Sequence, residues 1–132
     1  MKDGRPVVLF IDDDDDARMA IRMILEANGY AMAEASSAED GLRAYKALNP
    51  DFVIVDLMME EVDSGANFAR DLKALGNKVP VYMLSSVGDD LSTSIDTVAL
   101  GLDGVFQKPV AAATLLGVLK SRLSLPDAPS AP

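Results

Sequence analysis

Short apolar runs alternate with amphipathic segments along most of the chain. Most of these runs are rich in Val, Ile and Leu and too short for helices, which is typical of strands buried in a parallel sheet. Strands that alternate with helices pair in parallel through crossovers, and the helices then cover both faces of the sheet. The sequence therefore predicts a doubly wound α/β fold with a five-stranded parallel sheet, whose strands lie at residues 7–11, 30–34, 52–56, 81–84 and 104–107.

Helical periodicity and capping residues predict five helices between and after these strands. Asn28-Gly29 supplies a left-handed stop to the first helix, over residues 17–27. Ser36-Ser37-Ala38-Glu39 opens the second helix in the manner of a capping box, and Asn49-Pro50 closes it. The other three helices are predicted at residues 63–75, 90–100 and 111–123.

The charge and the residue types present exclude several kinds of chemistry. A net charge of −9 argues against a nucleic-acid surface, because phosphate backbones need basic side chains. The chain has no Cys and no His, so disulfides, thiolate ligands and the usual general base are excluded. Any acid–base or metal chemistry must therefore use carboxylates, hydroxyls and lysine.

The length and the ends of the chain favour a single domain. The 132 residues, 49% of them apolar, suit one domain with a substantial core. We expect this domain to cover residues 1–124, and residues 125–132 to form a disordered Pro- and Ala-rich tail or linker stub. No apolar run approaches the roughly 20 residues of a membrane span, and the start lacks the apolar core of a signal peptide. We therefore expect a cytoplasmic location with no membrane contact.

Polar side chains follow four of the predicted strands at the points where they end. Asp12 and Asp13 follow the first strand, Asp56 ends the third, Ser85 follows the fourth and Lys108 follows the fifth. The carboxyl ends of parallel strands meet at one edge of the sheet, where open α/β sheets bind ligands. The sequence therefore predicts a pocket with three carboxylates, a hydroxyl and an ammonium group.

Such a pocket suits Mg²⁺, which prefers oxygen ligands and often bridges one or two carboxylates to a phosphate. A carboxylate beside the metal can attack phosphorus and form an aspartyl phosphate. The metal and the lysine would neutralise charge on the transferring group, and a hydroxyl could hydrogen-bond its oxygens afterwards. The residues therefore favour Mg²⁺-dependent phosphoryl transfer.

Four stretches of the chain resemble the receiver domain of two-component response regulators. They lie in the order and spacing of that family: residues 8–14 (VLFIDDD), 50–57 (PDFVIVDL), 79–86 (VPVYMLSS) and 105–109 (VFQKP). The resemblance covers about residues 6–123. It implies a flavodoxin-like sheet with strand order 2-1-3-4-5.

The resemblance also implies a role for each carboxylate in the pocket. Asp56 would accept the phosphoryl group from a histidine kinase or a histidine phosphotransfer protein. Asp13 and Asp56 would ligate Mg²⁺, Asp12 would act through a bound water, and Met58 would offer its backbone carbonyl. The chain would then catalyse only its own phosphorylation and dephosphorylation. Its output would pass to a downstream partner protein or to an output domain missing from this chain.

Two further residues match the part of the family's site that senses the phosphoryl group. Ser85 matches the switch Ser/Thr, and Lys108 matches the lysine that pairs with the phosphoryl group. The Lys108–Pro109 peptide is cis in this family. The resemblance therefore implies a phosphorylation-driven signalling switch.

Two stretches depart from the family's pattern. Glu60 stands where the family usually has proline, and the glycine of the same loop comes one residue late, at Gly65. Val105 stands where the family often has Tyr or Phe, and Phe106 lies one residue away, on the other face of the strand. We therefore expect the output to depend on movement of residues 85–86 and the helix at 90–100.

Other residues have simpler interpretations. Asp14, Asp15 and Asp16 fall where the first helix begins, and acidic residues are favoured there by the helix dipole. Glu60 and Glu61 are expected to be solvated loop charges. The methionines are expected to fill the core, namely Met19, Met23, Met32 and Met83.

The fourth and fifth predicted helices, at residues 90–100 and 111–123, suggest a docking face. The fourth carries few charges on its outer side, and the fifth carries more apolar residues than one buried stripe needs. This face could dock a partner protein or a second copy of the chain. The simpler alternative is that the neighbouring elements partly cover the extra leucines.

Three other functions are compatible with parts of the sequence. A receiver that is no longer phosphorylated could act as a plain interaction module. Asp12-Asp13-Asp14 contains the Asp-x-Asp of small Mg²⁺-dependent phosphatases of the haloacid dehalogenase type. In those enzymes the lysine should precede a later acidic pair, whereas here Lys108 follows the pair Asp89-Asp90. A flavodoxin-like cofactor binder would need a Ser/Thr/Gly loop after the first strand, where five aspartates stand instead.

Overall fold

The apolar runs pair side by side in a five-stranded parallel sheet with the order β2-β1-β3-β4-β5 in a computed structural model of the chain. The structure describes residues 4–56, 64–85, 101–108 and 110–123. The strands are β1 (Val7–Ile11), β2 (Ala31–Ala35), β3 (Phe52–Asp56), β4 (Val81–Ser85) and β5 (Gly104–Gln107). The described helices are α1 (Asp15–Ala27), α2 (Ala38–Leu48), α3 (Ser64–Ala74) and α4 (Ala112–Arg122). The predicted fold class and strand order are confirmed.

The sheet is buried on both faces, and each face has its own cluster of core side chains. On one face, Leu9 and Ile11 of β1 pack with Phe68 and Leu72 of α3 and with part of α2. On the other face, the alternate residues of the same strands pack against α1 and α4, including Val8, Phe10, Ile21, Leu25, Leu115 and Leu119. Because successive strand side chains point to opposite faces, continuous apolar runs are required for this double burial.

Helix α1 begins within the aspartate run. Asp14 is its N-cap, and the Asp14 carboxylate accepts a hydrogen bond of 2.9 Å from the backbone N–H of Asp16. Asp15 and Asp16 occupy the first turn, where negative charge stabilises the helix dipole. The prediction that these three aspartates lie at the start of the first helix is confirmed, with Asp14 as its cap.

Strand β2 begins and ends one residue later than the sequence predicts. The Tyr30 N–H donates to the carbonyl of Leu25 at 3.0 Å, so Tyr30 takes part in the turn that follows α1. The register on β1 then pairs Val7 with Ala31 and Ile11 with Ala35. Pairing with a neighbouring strand therefore decides the limits of β2, and the apolar pattern of β2 alone does not.

The expectation that every methionine fills the core is wrong for two of the four. Met19 and Met23 on α1 are 64% and 67% exposed, whereas Met83 is fully buried. The burial of Ile21 and Leu25 turns the side of α1 that carries the two exposed methionines toward solvent.

The extra apolar residues of α4 are largely covered. Leu115 and Leu119 are buried, while Leu116, Val118 and Leu123 are partly buried against the same cluster. This outcome agrees with the simpler alternative for this helix. The predicted helix at residues 90–100, the other half of that face, lies outside the described residues.

Candidate functional site

Four of the predicted site residues meet at the carboxyl edge of the sheet. Asp12 directly follows β1, and Asp56 and Ser85 are the last residues of β3 and β4. Lys108 directly follows β5, and its Nζ lies 3.1 Å from Asp56 Oδ2 and 3.4 Å from Asp12 Oδ2. The predicted convergence of these strand ends is therefore confirmed.

Hydrogen bonds beyond the ends of two strands hold the backbone of the site. The N–H of Asp12 donates to the carbonyl of Ala35 at 3.1 Å, which continues the pairing of β1 with β2. The N–H of Lys108 donates to the carbonyl of Ser85 at 2.8 Å, which continues the pairing of β4 with β5. Both residues are thus placed by the sheet, even though neither belongs to a strand.

The three predicted carboxylates form one cluster. Asp12, Asp13 and Asp56 each offer an oxygen, and these oxygens lie within 4.8 Å of one another. Asp12 and Asp56 are buried and Asp13 is exposed, so the cluster opens to solvent on the Asp13 side. Three carboxylates this close repel one another unless a cation neutralises them.

The residues present fit a divalent metal with oxygen ligands. The buried Oδ2 of Asp12 accepts no hydrogen bond from any residue that the structure describes, although Lys108 lies at ion-pair distance. The Oδ1 of the same residue accepts from the backbone N–H of Asp14 at 3.0 Å. A buried oxygen without a hydrogen bond beside two further carboxylates, in a chain with neither His nor Cys, suits Mg²⁺ better than a transition metal.

Lys108 supplies positive charge to this pocket. Burial opposes its charge, but the hydrogen bond and the negative charge of Asp56, with contributions from Asp12, outweigh burial and raise the pKa of Lys108 above its ordinary value. The ammonium group therefore stays protonated at neutral pH and partly offsets the two buried carboxylates.

Phe106 and Val105 of β5 point to opposite faces of the sheet, as expected from the sequence. Phe106 is buried on the face of α1 and α4, where it stacks on Tyr82 with ring centroids 4.9 Å apart. Val105 pairs with Met83, whose side chain belongs to the cluster on the opposite face of the sheet. Phe106 and Val105 therefore lie on opposite faces of β5, as the sequence predicts.

An apolar groove of about 380 Å³ opens beside the pocket. Its polar lining comes from Asp12, Asp14 and Lys108. The apolar lining residues are Phe10, Ala17, Ala20, Ile21, Ile24, Leu84 and Val110. The pocket can therefore be approached along α1.

The sequence analysis missed one residue that contacts the pocket. Arg18 Nη1 donates to the backbone carbonyl of Asp12 at 2.6 Å, and Nε donates to Glu34 Oε1 at 2.9 Å. The available signal was an arginine one turn into a helix that follows five aspartates. Its partner Glu34, however, is distant in sequence and lies on another strand.

Several predicted features lie outside the described residues. These are the backbone carbonyl of Met58, the loop charges Glu60 and Glu61, Ser86, and the Lys108–Pro109 peptide with its proline. The side chain of Ser64, the residue before Gly65, is also outside them.

Comparisons with known proteins agree with this fold and site. The family model described as the response regulator receiver domain matches residues 8–120. The chemotaxis protein CheY of Bacillus subtilis is 30% identical over 118 residues, which cover 89% of this chain and 97% of CheY. The transcriptional regulatory protein AfsQ1 of Streptomyces coelicolor is 31% identical over 105 residues, which cover 80% of this chain and 45% of AfsQ1.

Solved structures of similar proteins give the same result. The crystal structure of a response regulator receiver domain protein from Clostridium thermocellum has a TM-score of 0.79 at 29% identity, and the match covers 89% of this chain and 93% of that one. The chemotaxis response regulator CheY4 of Vibrio cholerae has a TM-score of 0.79 at 25% identity, with 90% and 99% covered.

The fold and the acidic pocket define an α/β signalling domain with its site at the carboxyl ends of the strands. The chain belongs to the response regulator receiver domain family of two-component systems, whose members are switches phosphorylated on an aspartate. The chain spans about half the length of the first transcriptional regulators that it matches.

Proposed function

We propose that this chain is a phosphorylation-activated switch that accepts a phosphoryl group on Asp56 in the presence of Mg²⁺. The observation that carries the proposal is the buried Asp56 carboxylate, which lies in a cluster with Asp12 and Asp13 and 3.1 Å from Lys108 Nζ. A metal ion and a lysine beside the same carboxylate could together neutralise the charge of a phosphoryl group that is transferred to it.

In the proposed reaction, an oxygen of Asp56 attacks phosphorus. The new bond joins that oxygen to phosphorus, and the bond between phosphorus and the donor's leaving atom breaks, with its electron pair going to the leaving atom. Bound Mg²⁺ would neutralise charge on the transferring group. Asp13 and Asp56 would ligate the ion, Asp12 would act through a bound water, and the Met58 carbonyl is the predicted further ligand. Lys108 would exchange its contact with Asp56 for a phosphoryl oxygen.

Ser85 is the proposed sensor of the phosphoryl group. It is fully buried at the end of β4, one residue beyond the partner of Asp56 on the neighbouring strand, and its carbonyl already accepts from the N–H of Lys108. Contacts of Ser85 and Lys108 with the phosphoryl oxygens would favour one of two pre-existing conformations.

The proposed donor is a histidine kinase or a histidine phosphotransfer protein, as in the family. A donor that lies along α1 would fill the apolar groove and bring its phosphohistidine to Asp12 and Lys108 at the end of that groove. The output would pass to a partner protein or to an output domain, because the first matching regulators are about twice as long as this chain. A cytoplasmic location, a domain over residues 1–124 and a homodimer remain predictions.

No helix among the described residues has the length and apolar character needed to span a bilayer.

The phosphatase alternative would need Asp14, the second aspartate of its Asp-x-Asp motif, in the pocket. Asp14 instead caps α1, with its carboxylate on the N–H of Asp16.

The test is incubation with acetyl phosphate and Mg²⁺ followed by intact-mass measurement. We expect one phosphate adduct in the wild-type chain and none in Asp56→Asn or when EDTA removes the metal. Asp51→Asn is the matched control, since Asp51 lies at the opposite end of β3 and accepts from the Val7 N–H at 2.8 Å. A folded wild-type chain that binds Mg²⁺ but gains no adduct would favour the plain interaction module.

A further inference from the structure

One side chain links the metal pocket to the edge strand of the sheet. Arg18 is one turn into α1 and its side chain is 14% exposed. Its guanidinium contacts the Asp12 carbonyl, the Glu34 carboxylate on β2 and the Asp15 carboxylate. These contacts join α1, β2 and the segment that connects β1 to α1.

Arg18 contacts the backbone carbonyl of Asp12, so the contact can orient the peptide between Asp12 and Asp13. The Asp12 carbonyl and the Asp13 N–H belong to one planar peptide unit, so a bond that fixes the carbonyl also fixes the plane between these two residues. The N–H of Asp12 is already held by Ala35, and its Oδ1 accepts from the N–H of Asp14. The bond from Arg18 completes the restraint on the segment that presents both carboxylates.

Glu34 provides a firm anchor for Arg18. A hydrogen bond from Arg22, with a further one from Arg18, outweighs the effect of burial and lowers the pKa of Glu34 below its usual value. Glu34 is therefore ionised at neutral pH. The planar guanidinium can serve several acceptors at once in fixed directions, whereas a lysine ammonium has no such fork.

We propose that Arg18 is a positioning residue of the pocket: anchored on Glu34, it holds the Asp12–Asp13 peptide in the orientation that directs both carboxylates toward one metal ion. The metal-binding part rests on the proposed function. The positioning part concerns the metal-free chain as well and is tested without metal.

Arg22 offers a matched control on the same helix. It is four residues further along α1, and it bonds to Glu34 and Glu26 but makes no described contact with Asp12. Arg22→Gln therefore removes the same charge and a contact to the same glutamate, and leaves the Asp12 carbonyl bonded to Arg18.

The metal-free measurement is amide hydrogen exchange by NMR in EDTA. The N–H of Asp14 reports the position of the Asp12 side chain, because it donates to Asp12 Oδ1. We expect it to exchange about tenfold faster in Arg18→Gln and Arg18→Lys, which is the effect of losing one charge-assisted hydrogen bond. In Arg22→Gln its exchange should match the wild type.

The second measurement is Mg²⁺ binding by calorimetry. We expect the dissociation constant to rise about tenfold in both Arg18 variants, as for the loss of other partners that orient ligands, and to stay within about twofold in Arg22→Gln. If Arg18 acted only through its charge, Arg18→Gln would tighten Mg²⁺ binding and Arg18→Lys would behave as the wild type. That pattern, or Arg18 variants that match Arg22→Gln in both measurements, would overturn the proposal.

The two proposals fail in different ways. A wild-type chain that binds no Mg²⁺ would refute the proposed function, while the exchange of the Asp14 amide would still decide whether Arg18 positions the segment. Arg18→Lys keeps the charge on α1, so it tests the positioning role even if Arg18→Gln does not fold.

Discussion

Lys108 lies between two buried carboxylates, and its loss should affect both the stability and the metal affinity of the chain. Its Nζ is within 3.4 Å of Asp12 and 3.1 Å of Asp56. Removing one partner of a buried ion pair costs about 3–5 kcal/mol, because the remaining charge is left uncompensated. The cost should be smaller here, since Lys108 is 29% exposed and solvent reaches it.

We therefore expect Lys108→Met to lower the free energy of unfolding by about 2 kcal/mol in metal-free buffer. Mg²⁺ should recover most of this loss, because the ion neutralises the same carboxylates. Urea denaturation with EDTA and with Mg²⁺ measures both effects. Lys120→Met, at an exposed site on α4, is the control and should change stability by less than about 0.5 kcal/mol. Equal stability of Lys108→Met and the wild type in EDTA would contradict the expectation.

At the scale of the elements, Gly41 lets α2 pack closely against β1 at Ile11, the residue before Asp12. A Cβ on Gly41 would lie 2.6 Å from Ile11 Cδ1 and 2.9 Å from Ile11 Cγ1. Ile11 is fully buried and immediately precedes Asp12. The absence of a side chain at residue 41 thus allows the helix to pack against the strand that carries the first site carboxylate.

Gly41→Ala should destabilise the chain even though alanine is the better helix former. The gain in helix propensity is about 1 kcal/mol, whereas overpacking a full core costs about 1–3 kcal/mol. We expect a net loss of about 1 kcal/mol in urea denaturation. Gly117→Ala in α4 is the matched control. A Cβ there meets nothing within 4 Å, so this substitution should stabilise the chain by about 0.5–1 kcal/mol. If both substitutions raised the free energy of unfolding, Ile11 would have moved aside without cost.

For the whole molecule, the acidic cluster connects metal binding to global stability. A ligand that binds the folded chain and not the unfolded chain raises the free energy of unfolding by about 1.4 kcal/mol at ten times its dissociation constant. In a domain of this size, that corresponds to a rise in Tm of about 3–6 °C. We expect Mg²⁺ to have this role here because Asp12, Asp13 and Asp56 come together only when β1 and β3 pair.

We expect MgCl₂ to raise the Tm in a thermal melt, and NaCl of equal ionic strength to raise it much less. Asp13→Asn should lose most of the Mg²⁺ effect, because one of the three carboxylates is gone. Asp16→Asn, in the first turn of α1 and outside the cluster, should retain it. An unchanged Tm at millimolar Mg²⁺ would contradict a metal site at these carboxylates.

The parts of the site that could be predicted lie at strand ends. Asp12, Asp56 and Lys108 each follow a run whose apolar character identifies it as a strand, and parallel pairing brings such ends to one edge. The sequence does not predict the exposure of Met19 and Met23, because helical periodicity allows more than one apolar stripe on α1, and contact with the sheet selects one of them.

The sequence by itself determined the five strands, the four helices that the structure describes, the fold class and the side chains that meet at the carboxyl edge, because hydrophobic period and capping residues are local signals. Only the tertiary structure decided the register of β2, the buried side of α1 and the contact of Arg18 with both Asp12 and Glu34. These depend on distances between elements far apart in the chain, and no local pattern encodes such distances.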